Sequence, residues 1–163
     1  MDIATISTVI AAASVVVGVI MTILQLRDIS KARHFGLILQ FNPGFQADRH
    51  EIREAWSKVW RLEFKDYTDF VRKYGDVFGD GKEVLAVGTM STYYQGVGFL
   101  LHKRLIDRSI VEAIVGDSAS IAWEKLEPVW EGVRKQYNMP KTMNWFEYLY
   151  NEMEKKARAE ITN

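Results

Sequence analysis

The sequence predicts an all-α protein, and three observations carry that expectation. Residues 3–24 form one uncharged apolar run of helical length. Beyond it, apolar residues recur at helical spacing between capping residues and glycine stops. Alternating Val, Ile and Thr runs bounded by hairpin turns are missing, so nothing in the pattern calls for a sheet. The predicted architecture is one N-terminal transmembrane helix (1–26), a helical stalk that continues it (27–41), and a compact cytoplasmic all-helical domain of about five helices (42–163).

The run at 3–24 holds no charge, no proline and a single glycine. At the helical rise its length is about 33 Å, against a hydrocarbon core of about 30 Å. Eleven of its residues are Ile, Val or Leu and five are Ser or Thr. Insertion of the aliphatic set is favourable by roughly 3–7 kcal/mol, which outweighs the hydroxyl cost. A cleaved signal would begin with a basic segment and end at small residues. Here the only early ionisable side chain is Asp2, and the run leads into Gln25-Leu26-Arg27-Asp28.

Around that helix, Ser7, Ala11, Ser14, Gly18 and Gln25 fall in one stripe, with Thr22 at its edge. Small and weakly polar side chains on one face allow close backbone approach and hydrogen bonds between membrane helices. The stripe therefore predicts a packing seam for a homo-oligomer. The alternative it leaves open is a narrow pore lined by hydroxyls and Gln25. Arg27, Lys31 and Arg33 follow the run and no Lys or Arg precedes it. The positive-inside bias then sets the N-terminus outside and residues 27–163 in the cytoplasm, with these cations beside lipid headgroups.

The remaining elements follow in order. The stalk ends at Asn42-Pro43-Gly44. Asp48, with Glu51 three residues on, predicts a capped helix to about Phe64 that turns Ala55, Trp56, Val59, Trp60 and Leu62 inward. A short helix over 66–74 carries Tyr67, Phe70 and Val71. After the glycine-rich loop at 75–81 comes the longest cytoplasmic helix, 82–105, containing Gly88, Gly96 and Gly98. Asp107 is set to cap a helix over 110–115, ended by Gly116. Asp117 or Ser118 caps the next, whose apolar face is Ile121, Trp123, Leu126, Trp130, Val133 and Tyr137 around an internal Pro128. A last helix, from Thr142 or Asn144 to about Ala159, places Trp145, Phe146, Leu149 and Met153 inward.

Composition excludes several function classes. Twenty-one basic and 21 acidic residues cancel, so there is no general bias towards nucleic acid. Cysteine is absent, which removes thiol chemistry and disulfides. All 20 aromatic residues lie at or beyond Phe35, as expected for a membrane helix followed by a packed domain. His50, Glu51 and Glu54 share a helix at metal-ligand spacing, but the Glu-x-x-His element of carboxylate-bridged bundles does not occur. The loop GDVFGDGK at 75–82 has the wrong spacing for a phosphate loop, and Glu83 stands where Ser or Thr is required. Asp76, Asp80 and Glu83 lack the calcium-loop pattern. His34 and His102 sit beside basic residues, as structural or interfacial side chains. No catalytic set or cofactor site is expected, and an enzyme at the membrane surface rests on His50, Glu51 and Glu54 alone.

The C-terminal half carries a resemblance. Ile106-Asp107, Gly116-Asp117, Trp123, Leu126, Pro128, Arg134, Asn138, Pro140, Phe146 and Leu149 resemble the recurring pattern of a family of uncharacterised bacterial and archaeal membrane proteins. That family is a domain of unknown function, so the resemblance implies a single span with a helical domain and no active site. Some relatives are labelled putative phage abortive-infection proteins, which implies a membrane-linked stress or defence effector as a further alternative. The expectation from residues and resemblance together is a single-pass interaction or regulatory module in the cell membrane. Its partners would be lipid, further copies of itself and a protein the sequence does not identify.

Overall fold

The computed structural model describes residues 14–26, 29, 32, 36 and 49–161. Among these residues there are seven helices and no strand. They belong to two units, residues 1–37 and 38–163. In the first, residues 14–26 form helix α1. In the second, α2 (Arg49–Arg61), α3 (Tyr67–Tyr74), α4 (Lys82–His102), α5 (Arg108–Val115), α6 (Ser118–Gln136) and α7 (Asn144–Ile161) surround one core. The domain thus has six helices where about five were expected. The expected N-terminus of the span, Asp48 as a cap, the turn at 42–44, and most of the stalk lie outside the described residues.

Of the predicted span, residues 14–24 are described and helical. Among the described residues no helix is long and apolar enough to cross a membrane. The 13 residues of α1 fall short of the roughly 20 that a crossing takes. Every large apolar side chain along α1 is exposed, from 48% at Leu24 to 66% at Val15.

In the second unit α4 is the central element, packing most extensively against α7 and next against α2. Its sequence is apolar nearly all round, which is the mark of a helix buried on several sides. Val84, Val87, Met90, Tyr94, Val97 and Leu100 are buried along it. Two features bring α7 close. A Cβ added at Gly98 would fall inside the backbone carbonyl of Trp145, so only glycine permits this approach. Gln95 then accepts hydrogen bonds from the Trp145 and Phe146 backbone N–H groups at 3.0 and 2.9 Å. Those are unpaired donors of the first turn of α7, capped by a side chain 50 residues away.

Aromatic packing fills the centre. Phe146 stacks on Tyr94 at 4.9 Å and meets Trp123 edge-on at 5.1 Å. The polar atoms that come with such residues find partners: Trp130 Nε1 donates to Ser91 Oγ at 3.0 Å, and the Tyr94 hydroxyl donates to Ser118 Oγ at 2.9 Å. Ser118 Oγ in turn donates to the Val115 carbonyl. Gly132 of α6 provides the second close approach, since a Cβ there would overlap the side chain of Tyr67.

Local signals account for the helix ends. Asp66 accepts from the Asp69 N–H at 2.9 Å, and Asp69 reaches back to the Lys65 N–H at 3.2 Å, a reciprocal cap for α3. Gly75, at φ +95°, closes the other end. Asp107 and Asp117 occupy the N-cap positions of α5 and α6 as expected, but neither side chain caps. The Asp107 backbone carbonyl accepts from Ile110 and Val111 instead. Helix α4 stops at His102, three residues early, because Arg104 turns left-handed and the Leu105 N–H bonds the Leu100 carbonyl. Asn138 ends α6 in the same way, through Met139 and Arg134.

Three core assignments need correction. Trp60 is 51% exposed, with Lys125 lying over its ring at 5.7 Å. Ile121 is 41% exposed, and Tyr137 lies beyond the last turn of α6 at 37% exposure. In each, helical spacing marks a residue as apolar-facing, while the second unit has no element to cover that side.

Candidate functional site

The residues singled out for association divide between described and undescribed positions. Ser14, Gly18, Thr22 and Gln25 lie on α1. Ser7, Ala11, Arg27, Lys31 and Arg33 lie outside the described residues, as does His34. At Gly18 an added Cβ would meet nothing within 4 Å, so the stripe has open space above it. Thr22 Oγ1 donates to the Gly18 carbonyl at 2.8 Å, so this hydroxyl is satisfied inside its own helix.

The sequence-level metal candidate does not assemble. Among the described residues, no group of three or more His, Asp or Glu side chains converges. Glu54 instead pairs with Lys58 one turn on, at 2.7 Å, and that hydrogen bond lowers its carboxyl below the usual range. Both residues line an open groove of about 680 Å³ between α2 and α4. The groove was not visible in the sequence, where Gly88 reads only as a weak point of a helix.

Loop 75–81 is turn chemistry. Asp76 accepts from the Phe78 N–H at 2.9 Å and from the Tyr137 hydroxyl, and these bonds, the tyrosine's first, hold its carboxyl low. Phe78 meets Tyr137 edge-on at 5.1 Å, which ties the loop to the end of α6. Beneath them the Tyr67 hydroxyl is buried without a hydrogen-bond partner among the described residues, and burial raises its titration well above the usual tyrosine range. Asp69 is lowered to about 2, first by Arg72 and then by Lys73. His102 rests against Trp145, ring centroids 4.1 Å apart, as a packing residue.

Residues 8–153 match the family described as "Domain of unknown function (DUF4760)". The chain belongs to this family. No curated protein and no solved structure matches the chain. Within this DUF4760 chain, the positions that carried the resemblance have structural work. Trp123, Leu126, Phe146 and Leu149 are core. Gly116, at φ +45°, and Asn138, at φ +52°, take left-handed conformations at helix ends. Arg134 donates to Glu131 at 2.6 Å, to Glu147 at 2.7 Å and to the Thr142 carbonyl at 2.9 Å, which fastens the loop between α6 and α7. Its side chain is 11% accessible, so these charge-assisted bonds are stronger than ordinary surface pairs.

Proposed function

We propose that this DUF4760 chain is a single-pass, membrane-anchored helical interaction module that self-associates and holds its helical domain on the cytoplasmic side. One observation carries the reading. Nine consecutive large apolar side chains of α1, from Val15 to Leu26, are about half or more exposed, and none carries charge. Exposed apolar surface on that scale marks a membrane or protein contact. The uncharged sequence continues upstream to Ile3, which gives the length a bilayer takes.

The association half of the reading is supported by the open space at Gly18 and by Ser14 and Gln25 on the same stripe. Closure of Thr22 on its own backbone favours a dry seam over a hydroxyl-lined lumen. In the second unit, charged side chains are spent on ion pairs within and between helices, as at Arg108 with Glu112 and Glu152, which suits a binding scaffold. Protease added outside sealed vesicles holding the full chain tests the reading. Digestion of residues 27–163 with retention of a short lipid-borne fragment is expected when the cytoplasmic face is outward. Complete digestion, or chain free of the vesicles, contradicts it.

A further inference from the structure

We propose that the groove between α2 and α4 is a docking site for the same groove of a second copy of this chain. The inference deepens the self-association reading by locating a contact in the helical domain, separate from any seam along α1. The floor of the groove is Ala55 of α2 with Leu85, Gly88, Thr89 and Thr92 of α4. These α4 positions are spaced i, i+3, i+4 and i+7, so they share one side of the helix. Leu85 is 55% exposed, an aliphatic residue on the open face of the most buried helix in the domain.

Gly88 is the informative residue. A glycine inside a helix weakens it relative to alanine, so its presence calls for a compensating approach. At Gly98 that approach is the backbone of Trp145. At Gly88 an added Cβ meets nothing within 4 Å among the described residues. The position is open above a groove of about 680 Å³, enough to take side chains from another helix.

Charge selects the occupant. The rim carries Glu51, Glu54 and Lys58 on α2 and Lys82 on α4, two acids and two bases. The field of Lys82 reaches Glu54, so the opposite signs stand close to one another. Such a rim mismatches a strongly acidic or strongly basic partner and complements its own copy when turned over by a twofold axis. The chain as a whole has no net charge, so approach of two copies meets no overall repulsion.

The native chain has no cysteine, so single cysteines report contacts cleanly. The test uses full-length chain in lipid vesicles with Leu85→Cys, under mild oxidation. A covalent dimer is expected, reduced about tenfold when Gly88→Leu or Thr92→Arg is added to block the groove. The exposed control Ile114→Cys is expected to stay monomeric. Melting temperature of each blocked variant is measured alongside, and Gly88→Leu should melt no lower than the parent because its side chain enters open space. Absence of the Leu85→Cys dimer overturns the proposal. So does a dimer insensitive to both blocking changes, or equal crosslinking at Ile114, which marks random collision. If both blocked variants unfold, the groove is covered by the chain itself and the proposal also fails. A parallel Val17→Cys variant on α1 reports the seam, so loss of the groove contact and loss of self-association as a whole are told apart.

Discussion

Helices α1 and α4 are both rich in aliphatic residues and glycine, yet the structure treats them oppositely. Along α4, valines, Met90 and Leu100 are buried by α2, α6 and α7. Its polar side chains are bonded to specific partners on other helices: Ser91 to Trp130, Tyr94 to Ser118, Gln95 to the first turn of α7. Along α1 the aliphatic side chains are exposed, and the bonded hydroxyl of Thr22 closes on its own turn. Apolar composition alone therefore does not distinguish a core helix from a membrane helix. Polar handles at fixed places do: a core helix can satisfy them from neighbouring elements, while a lipid-facing helix must satisfy them within itself.

The comparison breaks most forcefully under a buried charge. Val87→Lys places an ammonium in the core and is expected to cost about 4–5 kcal/mol, enough to unfold the domain in a urea titration. Val17→Lys is expected to leave that titration within about 0.5 kcal/mol while weakening membrane insertion by roughly 3 kcal/mol, seen as chain lost from floated vesicles. The glycines make the second pair. Gly98→Ala drives a methyl into the Trp145 carbonyl and should cost about 3 kcal/mol, whereas Gly18→Ala should leave the domain's melting curve unchanged.

Smaller effects sharpen the account of α4. Gln95→Leu strips two N–H groups of α7 of their acceptor and should cost about 1–3 kcal/mol by the same titration. Arg104→Gly acts in the other direction. The left-handed conformation at φ +55° strains an arginine and suits glycine, so the domain should gain about 0.5–1 kcal/mol and melt slightly higher.

Much of the second unit was legible in the sequence because its determinants are local. The cap at Asp66, the stops at Gly75 and Gly116, and the inward Phe146 and Leu149 follow from residue type and spacing. What escaped depends on neighbours that spacing does not reveal. Gln95 looks like any polar helix residue until α7 arrives 50 positions later. Gly88 and Gly98 look alike until one meets a backbone and the other meets open space. Trp60, Ile121 and Tyr137 satisfy the helical period but lack a covering element. The groove itself was invisible, because a concavity between α2 and α4 is a property of their packing.

The central claim is that the exposed apolar surface of α1 is covered by lipid. Extraction of isolated membranes at alkaline pH tests it most directly, on the full chain beside a chain beginning at residue 27. The account predicts that the full chain stays in the pellet while the shortened chain appears folded in the supernatant. Release of the full chain into the supernatant as a folded, soluble protein would contradict it.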